Sequence, residues 1–169
     1  MKKTMNKTKK KSKRTKLTPQ QIDQRNQKKE IRQVFSNLGF ERLIGVDGKH
    51  FEYENRKSEL DDIFIIDNVV VIVEYTVGNP HEHILKKSFI YERINKDHAQ
   101  FLKFLYDGKV FDSFCQKWDE IKSKYSFKQI QLRILYCSKS EVSDEDRKLI
   151  NGVSFFDYHI IPLVSLNVC

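Results

Sequence analysis

Apolar positions recur with two periods along this chain, and the change of period marks its elements. Ile31, Val34, Phe35 and Leu38 fall at helical spacing. Thr18-Pro19 supplies an N-cap hydroxyl and a first-turn proline, and Gly39 a stop, so the spacing predicts a helix over 18–38. Everything before Ile31 is polar apart from Ile22, so the first half of that helix is expected to project or fray. Residues 40–44 read as a short extended piece and 46–49 as a turn. Residues 50–55 read as a first strand through Phe51 and Tyr53. The two clearest strands are 60–66 and 69–76, joined at Asp67-Asn68, residue types that tolerate the left-handed region. Residues 69–73 are apolar at every position, as in a central strand covered on both faces.

Gly78-Asn79-Pro80 breaks the pattern, and helices are predicted over 81–95, 98–106 and 111–125, the last burying Trp118. Alternation of Ile130, Leu132, Ile134 and Tyr136 predicts a strand over 129–137. Ser143 and Asp146 suit a capped helix through Leu149, and 155–166 closes the pattern as a strand or a strand–helix piece. The sum is an α/β fold: a mixed central sheet flanked by helices on both faces. Phe35, Phe51, Phe64, Phe101, Phe104, Trp118 and Phe155 fall at core-like periodicity, so they read as core before they read as a base-stacking platform.

Charge divides the chain. Residues 1–16 hold nine of its 31 Lys and Arg and no acid, which leaves 22 basic against 23 acidic residues in the rest. Residues 1–17 therefore read as a disordered basic tail and 18–169 as one folded domain. Lys9, Lys10, Lys11, Lys13 and Arg14 are the candidates for contact with a nucleic-acid backbone; a solubility tail or localisation address has the same composition. No apolar run follows the basic part, as a secretory signal requires, and no stretch is apolar enough to span a bilayer. Cys115, Cys137 and Cys169 are widely spaced and odd in number, with no C-x-x-C. That fits a reducing compartment with Cys115 and Cys137 as small core residues, so the cytoplasm is expected, or the nucleus in a eukaryote.

Candidate chemistry sits around the central hairpin. Glu59-Leu60-Asp61-Asp62 precedes its first strand and Glu74-Tyr75-Thr76 ends its second, so the turn brings the acids together. Alternation puts Glu59 and Asp61 on one face and Asp62 on the other, and Glu74 with Ile72 and Thr76. Clustered carboxylates repel one another unless a cation lies between them. A solvated strand start and an edge glutamate are the plain structural alternative. On the helix over 81–95, Ile84, Lys87, Tyr91 and Ile94 share a face, which places Lys87 centrally in an apolar stripe while Lys86 points away. Such a lysine finds an acidic partner or snorkels outward. His81 and His83 diverge at i, i+2 and have no further ligand at suitable spacing. There is no P-loop, nucleophile elbow or dinucleotide fingerprint.

The run SELDDIFIIDNVVVIVEYT, followed by a lysine-containing helix, resembles the PD-(D/E)XK nuclease superfamily, the restriction-endonuclease-like fold. More narrowly it looks like nuclease-like domains of bacterial proteins tied to DNA modification and phage defence. The resemblance covers roughly 30–94 and implies a Mg²⁺-dependent endodeoxyribonuclease (Mn²⁺ substituting) acting on DNA. Carried over by position, Asp61 would be the motif aspartate, with Asp62 its competitor, and Glu74 the second metal ligand. The backbone carbonyl of Tyr75 would be a further ligand, and Glu30 the acid of the first helix. The family pattern has lysine where this chain has Thr76; a lysine migrated to the following helix is a variation of the superfamily, and Lys87 fits it. The resemblance leaves room for a homodimer or for further domains of a longer protein. The rival readings are a catalytically inactive nuclease-fold module for nucleic-acid binding or assembly, and an unrelated basic-tailed RNA-binding or structural protein.

Overall fold

The computed structural model describes residues 16–157. The expected basic tail up to residue 15, its candidate contacts Lys9, Lys10, Lys11, Lys13 and Arg14, and the continuation of the last strand beyond Asp157 lie outside the described residues.

The chain opens with α1 (Pro19–Asn37), capped by Thr18 in a reciprocal box with Gln21: the Gln21 amide donates to Thr18 Oγ1 and Gln21 Oε1 accepts from the Thr18 amide. Gly39, at φ +85°, ends it in a conformation that costs glycine little. The strands β1 (Glu41–Arg42), β4 (Asp62–Ile66), β5 (Val69–Thr76), β6 (Gln131–Ser138) and β7 (Val153–Asp157) form one sheet in the order β1-β4-β5-β6-β7. The first two pairings are antiparallel and the last two parallel. A separate hairpin joins β2 (His50–Tyr53) to β3 (Arg56–Glu59). The helices α2 (Pro80–Lys96), α3 (His98–Asp107), α4 (Asp112–Ile121) and α5 (Asp144–Leu149) complete the fold. The expected mixed sheet with helices on both faces is present.

Two apolar clusters hold the layers. On one face α1 packs Ile31 and Phe35 onto Phe64, Val71, Val73 and Tyr75, with the Phe35 and Phe64 rings stacked at 4.2 Å. On the other, Ile63, Ile65 and Ile72 meet Ile84, Tyr91 and Ile94 of α2, with Phe101, Phe114 and Trp118 beyond. Each such side chain, fully buried, contributes roughly 1.5–3 kcal/mol. The central strand β5 is buried along nearly its whole length, as its unbroken apolar run predicts.

Three expectations are corrected. Val34 and Leu38 are exposed, so the buried face of α1 runs Gln27, Ile31, Phe35. Gln27 is fully buried: its Nε2 donates to the Thr76 and Cys137 carbonyls, which ties α1 across the ends of β5 and β6. The strand beginning at His50 is not part of the main sheet; it turns through Glu54 and Asn55, both at positive φ, and pairs with the all-polar β3. The edge beside β4 is instead the two-residue β1, from the short extended piece. Cys137 is fully buried, whereas Cys115 is only half-buried.

Candidate active site

The sheet register aligns Asp62 with Val73, which brings Asp61, one residue earlier, beside the end of β5. Asp61 Oδ2 accepts from the Tyr75 amide at 3.0 Å, and Oδ1 lies 3.1 Å from Lys28 Nζ. Glu74 is fully buried, and Lys87 Nζ lies 3.1 Å from its Oε2. The approach makes a buried ion pair, and Glu74 Oε1 has no hydrogen-bond partner among the described residues. Lys87 Nζ donates instead to the Glu59 carbonyl at 2.5 Å. Burial pushes the Glu74 carboxyl up to about 8; the Lys87 ammonium opposes the rise and the Asp61 carboxylate adds to it.

Asp61 and Lys87 line a cleft of about 470 Å³ at the ends of β4 and β5, with Tyr75 and Thr76, while Glu74 is fully buried next to them in the sequence of β5. Gln20, Gln21 and Gln24 of α1 form one wall. Glu82, His83 and Lys86 of α2 form the other. The N-terminal half of α1, expected only to project, is thus a wall of the cleft. Lys86 is exposed at the rim and Lys87 is buried, as the helical stripe predicts.

The remaining candidates separate. Asp62 does not join Asp61. It is fully buried on the α1 side, where Arg32 Nε at 2.8 Å, Arg42 Nε at 2.6 Å and the Tyr75 hydroxyl at 2.9 Å all donate to it. Strand alternation sends its side chain away from the cleft, so it is corrected from a metal candidate to an ion-pair hub. Burial, together with Asp62, raises the Tyr75 hydroxyl pKa well above its ordinary range. Glu30 is exposed on α1, outside the residues that line the cleft; the buried residue of that helix at the strand ends is Gln27. Glu59 contributes its carbonyl, while its carboxylate pairs with His50 at 3.4 Å on the hairpin. Thr76 is buried, and its hydroxyl accepts from the Gly78 amide at 3.3 Å.

Sequence reasoning missed Lys28. It bridges Asp61 to both oxygens of Asp47, each at 2.9 Å. Burial works against its charge, but Asp61 and Asp47 outweigh that and hold its pKa above the ordinary lysine value. The signal available was its place one residue after Gln27 on a helix crossing the strand ends. Also missed was His83, whose Nδ1 lies 2.9 Å from the Tyr136 hydroxyl. Burial, and then the Lys87 ammonium, push its pKa down to about 4, so it is neutral at pH 7.

Among the described residues, no group of three or more His, Cys, Asp and Glu side chains is placed to hold a metal ion. Two carboxylates do converge. Mg²⁺ commonly takes one or two protein carboxylates and keeps several waters, so the pair fits a hard cation. Glu74 Oε1 carries that fit: Lys87 pairs with Oε2, while Oε1 is buried with no hydrogen-bond partner among the described residues and keeps its lone pairs for a cation. Asp61, with one hydrogen bond on each oxygen, retains lone pairs to offer.

Searches with models of protein families, among curated proteins and among solved structures found no match to this chain. No helix among the described residues is long and apolar enough to cross a membrane.

Proposed function

We propose that the chain is a PD-(D/E)XK-type nuclease of the restriction-endonuclease-like fold, hydrolysing DNA phosphodiester bonds with Mg²⁺ or Mn²⁺, in a restriction or phage-defence setting. One observation carries the reading. The fully buried Glu74, its Oε2 3.1 Å from the Lys87 ammonium and its Oε1 without a hydrogen-bond partner among the described residues, stands beside Asp61. A paired acid, a second acid from the adjoining strand and a lysine are the groups that such hydrolysis needs.

In this reading Asp61 and Glu74 hold the cation, with the Tyr75 carbonyl as a further oxygen donor at the cleft. When bound, the cation lowers the pKa of a water and neutralises the scissile phosphate. Lys87 takes the part that Thr76 lacks the charge to play: its ammonium orients the attacking water or steadies the leaving oxygen. The Glu59 carbonyl keeps that ammonium directed into the site. Gln20, Gln24 and Lys86 supply neutral and positive donors along the walls for the phosphate backbone.

A second reading, a nuclease-fold module that binds nucleic acid without cutting it, is favoured by Thr76 at the motif-lysine position and by the engagement of both Asp61 oxygens within the chain. Incubation of duplex and single-stranded DNA with Mg²⁺ or Mn²⁺ distinguishes the two. The native chain is expected to cut, and Asp61→Ala and Glu74→Ala to fail. Equal behaviour of all three removes the enzyme, and retained binding then leaves the module.

A further inference from the structure

Asp61 is held by a lysine to which the proposed chemistry gives no role. Lys28 Nζ lies 3.1 Å from Asp61 Oδ1 and 2.9 Å from each oxygen of Asp47, with only 12% of its side chain exposed. Glu74 has its own ammonium, Lys87. A divalent cation approaching Asp61 therefore meets Oδ1 already engaged and a like charge at contact distance, in a place where solvent screens weakly.

We propose that Lys28 is a built-in competitor that sets the divalent-cation affinity of the Asp61–Glu74 pair, giving up Asp61 to the incoming ion while remaining on Asp47. The inference rests on the nuclease reading for the presence of that ion. The exchange asks for little movement, because Asp47 already grips the ammonium through both oxygens. Arg32 Nη2, 3.2 Å from Asp47 Oδ2, steadies the acceptor, so the lysine stays paired after release. The two acids act oppositely on the site: Asp61 draws Lys28 into the competition and Asp47 draws it out.

Mn²⁺ binding to the full chain, followed by loss of the free-ion EPR signal, tests this without any turnover. Lys28→Met is expected to bind about tenfold more tightly than the native chain, and Lys28→Arg within about twofold of it. Asp47→Asn leaves Lys28 with Asp61 alone and is expected to bind more weakly. Asp61→Asn marks the site by losing it. If the native chain binds at a site that Asp61→Asn abolishes, while Lys28→Met binds equally or more weakly, the competitor role is overturned and the cation site stands. If the native chain takes up no more Mn²⁺ than Asp61→Asn, the cation site falls, and this inference with it. Circular dichroism checks folding. Should Lys28→Met not fold, Asp47→Asn decides: weaker binding supports the proposal, and equal or tighter binding overturns it.

Discussion

Asp61 and Asp62 are consecutive in the chain, and the sheet sends their side chains to different environments. Asp61 turns to the cleft beside Glu74, while Asp62 is sealed under α1 between Arg32, Arg42 and the Tyr75 hydroxyl. One residue of register separates a candidate ligand from a structural ion-pair hub.

Substitution should separate them in opposite ways. Asp62→Asn leaves two guanidinium groups facing a neutral amide and is expected to cost about 3 kcal/mol. Its folded fraction should retain full cleavage. Asp61→Asn keeps an oxygen for the Tyr75 amide, so its stability should stay within about 1 kcal/mol, while cleavage falls more than about 100-fold. Urea unfolding and a plasmid-nicking assay on both variants check this. Loss of cleavage by fully folded Asp62→Asn would reverse the assignment.

Glu74 makes stability depend on pH in an unusual direction. Its carboxyl is raised to about 8 from an ordinary value of 4.5. Below about 4.5 both folded and unfolded states hold the proton, and the group contributes nothing. Between about 4.5 and about 8 the unfolded chain releases the proton and the folded chain keeps it, so stability falls as pH rises. Above about 8 the cost is complete and level. With divalent ions chelated, urea midpoints at pH 5 and pH 8 should therefore differ more in the native chain than in Glu74→Gln. Equal differences would show that Glu74 ionises normally.

Lys87 and Glu74 form a buried pair, which in the proposed nuclease would serve chemistry more than stability. Lys87→Met removes the one ammonium opposing the rise in Glu74, and is expected to destabilise by about 1–3 kcal/mol and to abolish cleavage. The double variant Glu74→Gln with Lys87→Met puts neutral groups of similar volume in the same space. It should match or exceed native stability while remaining inactive. Chelated unfolding curves of the native chain and of the single and double variants measure this; a double variant clearly less stable than the native chain would show that the pair does stabilise the fold.

Much of this arrangement could be read from residue order. The unbroken apolar run of β5 announced a central strand, and Asp67-Asn68 the hairpin that aligns Asp61 with the end of that strand. Helical spacing put Lys87 in the buried stripe of α2. The failures have specific causes. Arg56-Lys57-Ser58-Glu59 forms β3 without an apolar position, so its only advertisement was the turn at Glu54-Asn55. Gln27 and Lys28 are polar residues in a polar stretch, and what buries them is the crossing of α1 over the strand ends, which periodicity does not encode. Val34 and Leu38 show the converse: apolar residues at helical spacing that stay exposed on α1.

The basic tail should act on substrate through long-range charge and leave the fold alone. Its nine Lys and Arg contrast with a nearly neutral body, and it leads to Thr18, whose hydroxyl caps α1. The first turns of α1 line the cleft through Gln20, Gln21 and Gln24, so the basic segment precedes in sequence a wall of the proposed substrate path. Each phosphate that the tail neutralises adds about 0.9 to the slope of log affinity against log salt for duplex DNA. Deleting residues 2–16 keeps Thr18 and its cap, so the unfolding midpoint should not move. DNA affinity should fall most at about 50 mM salt, with the native and truncated curves converging above about 200 mM. Fluorescence anisotropy across that range reads the slope directly. A loss of affinity that is the same at every salt concentration would mean that the tail contacts DNA through shape or bases, or supports the cleft itself, and the electrostatic account would fail.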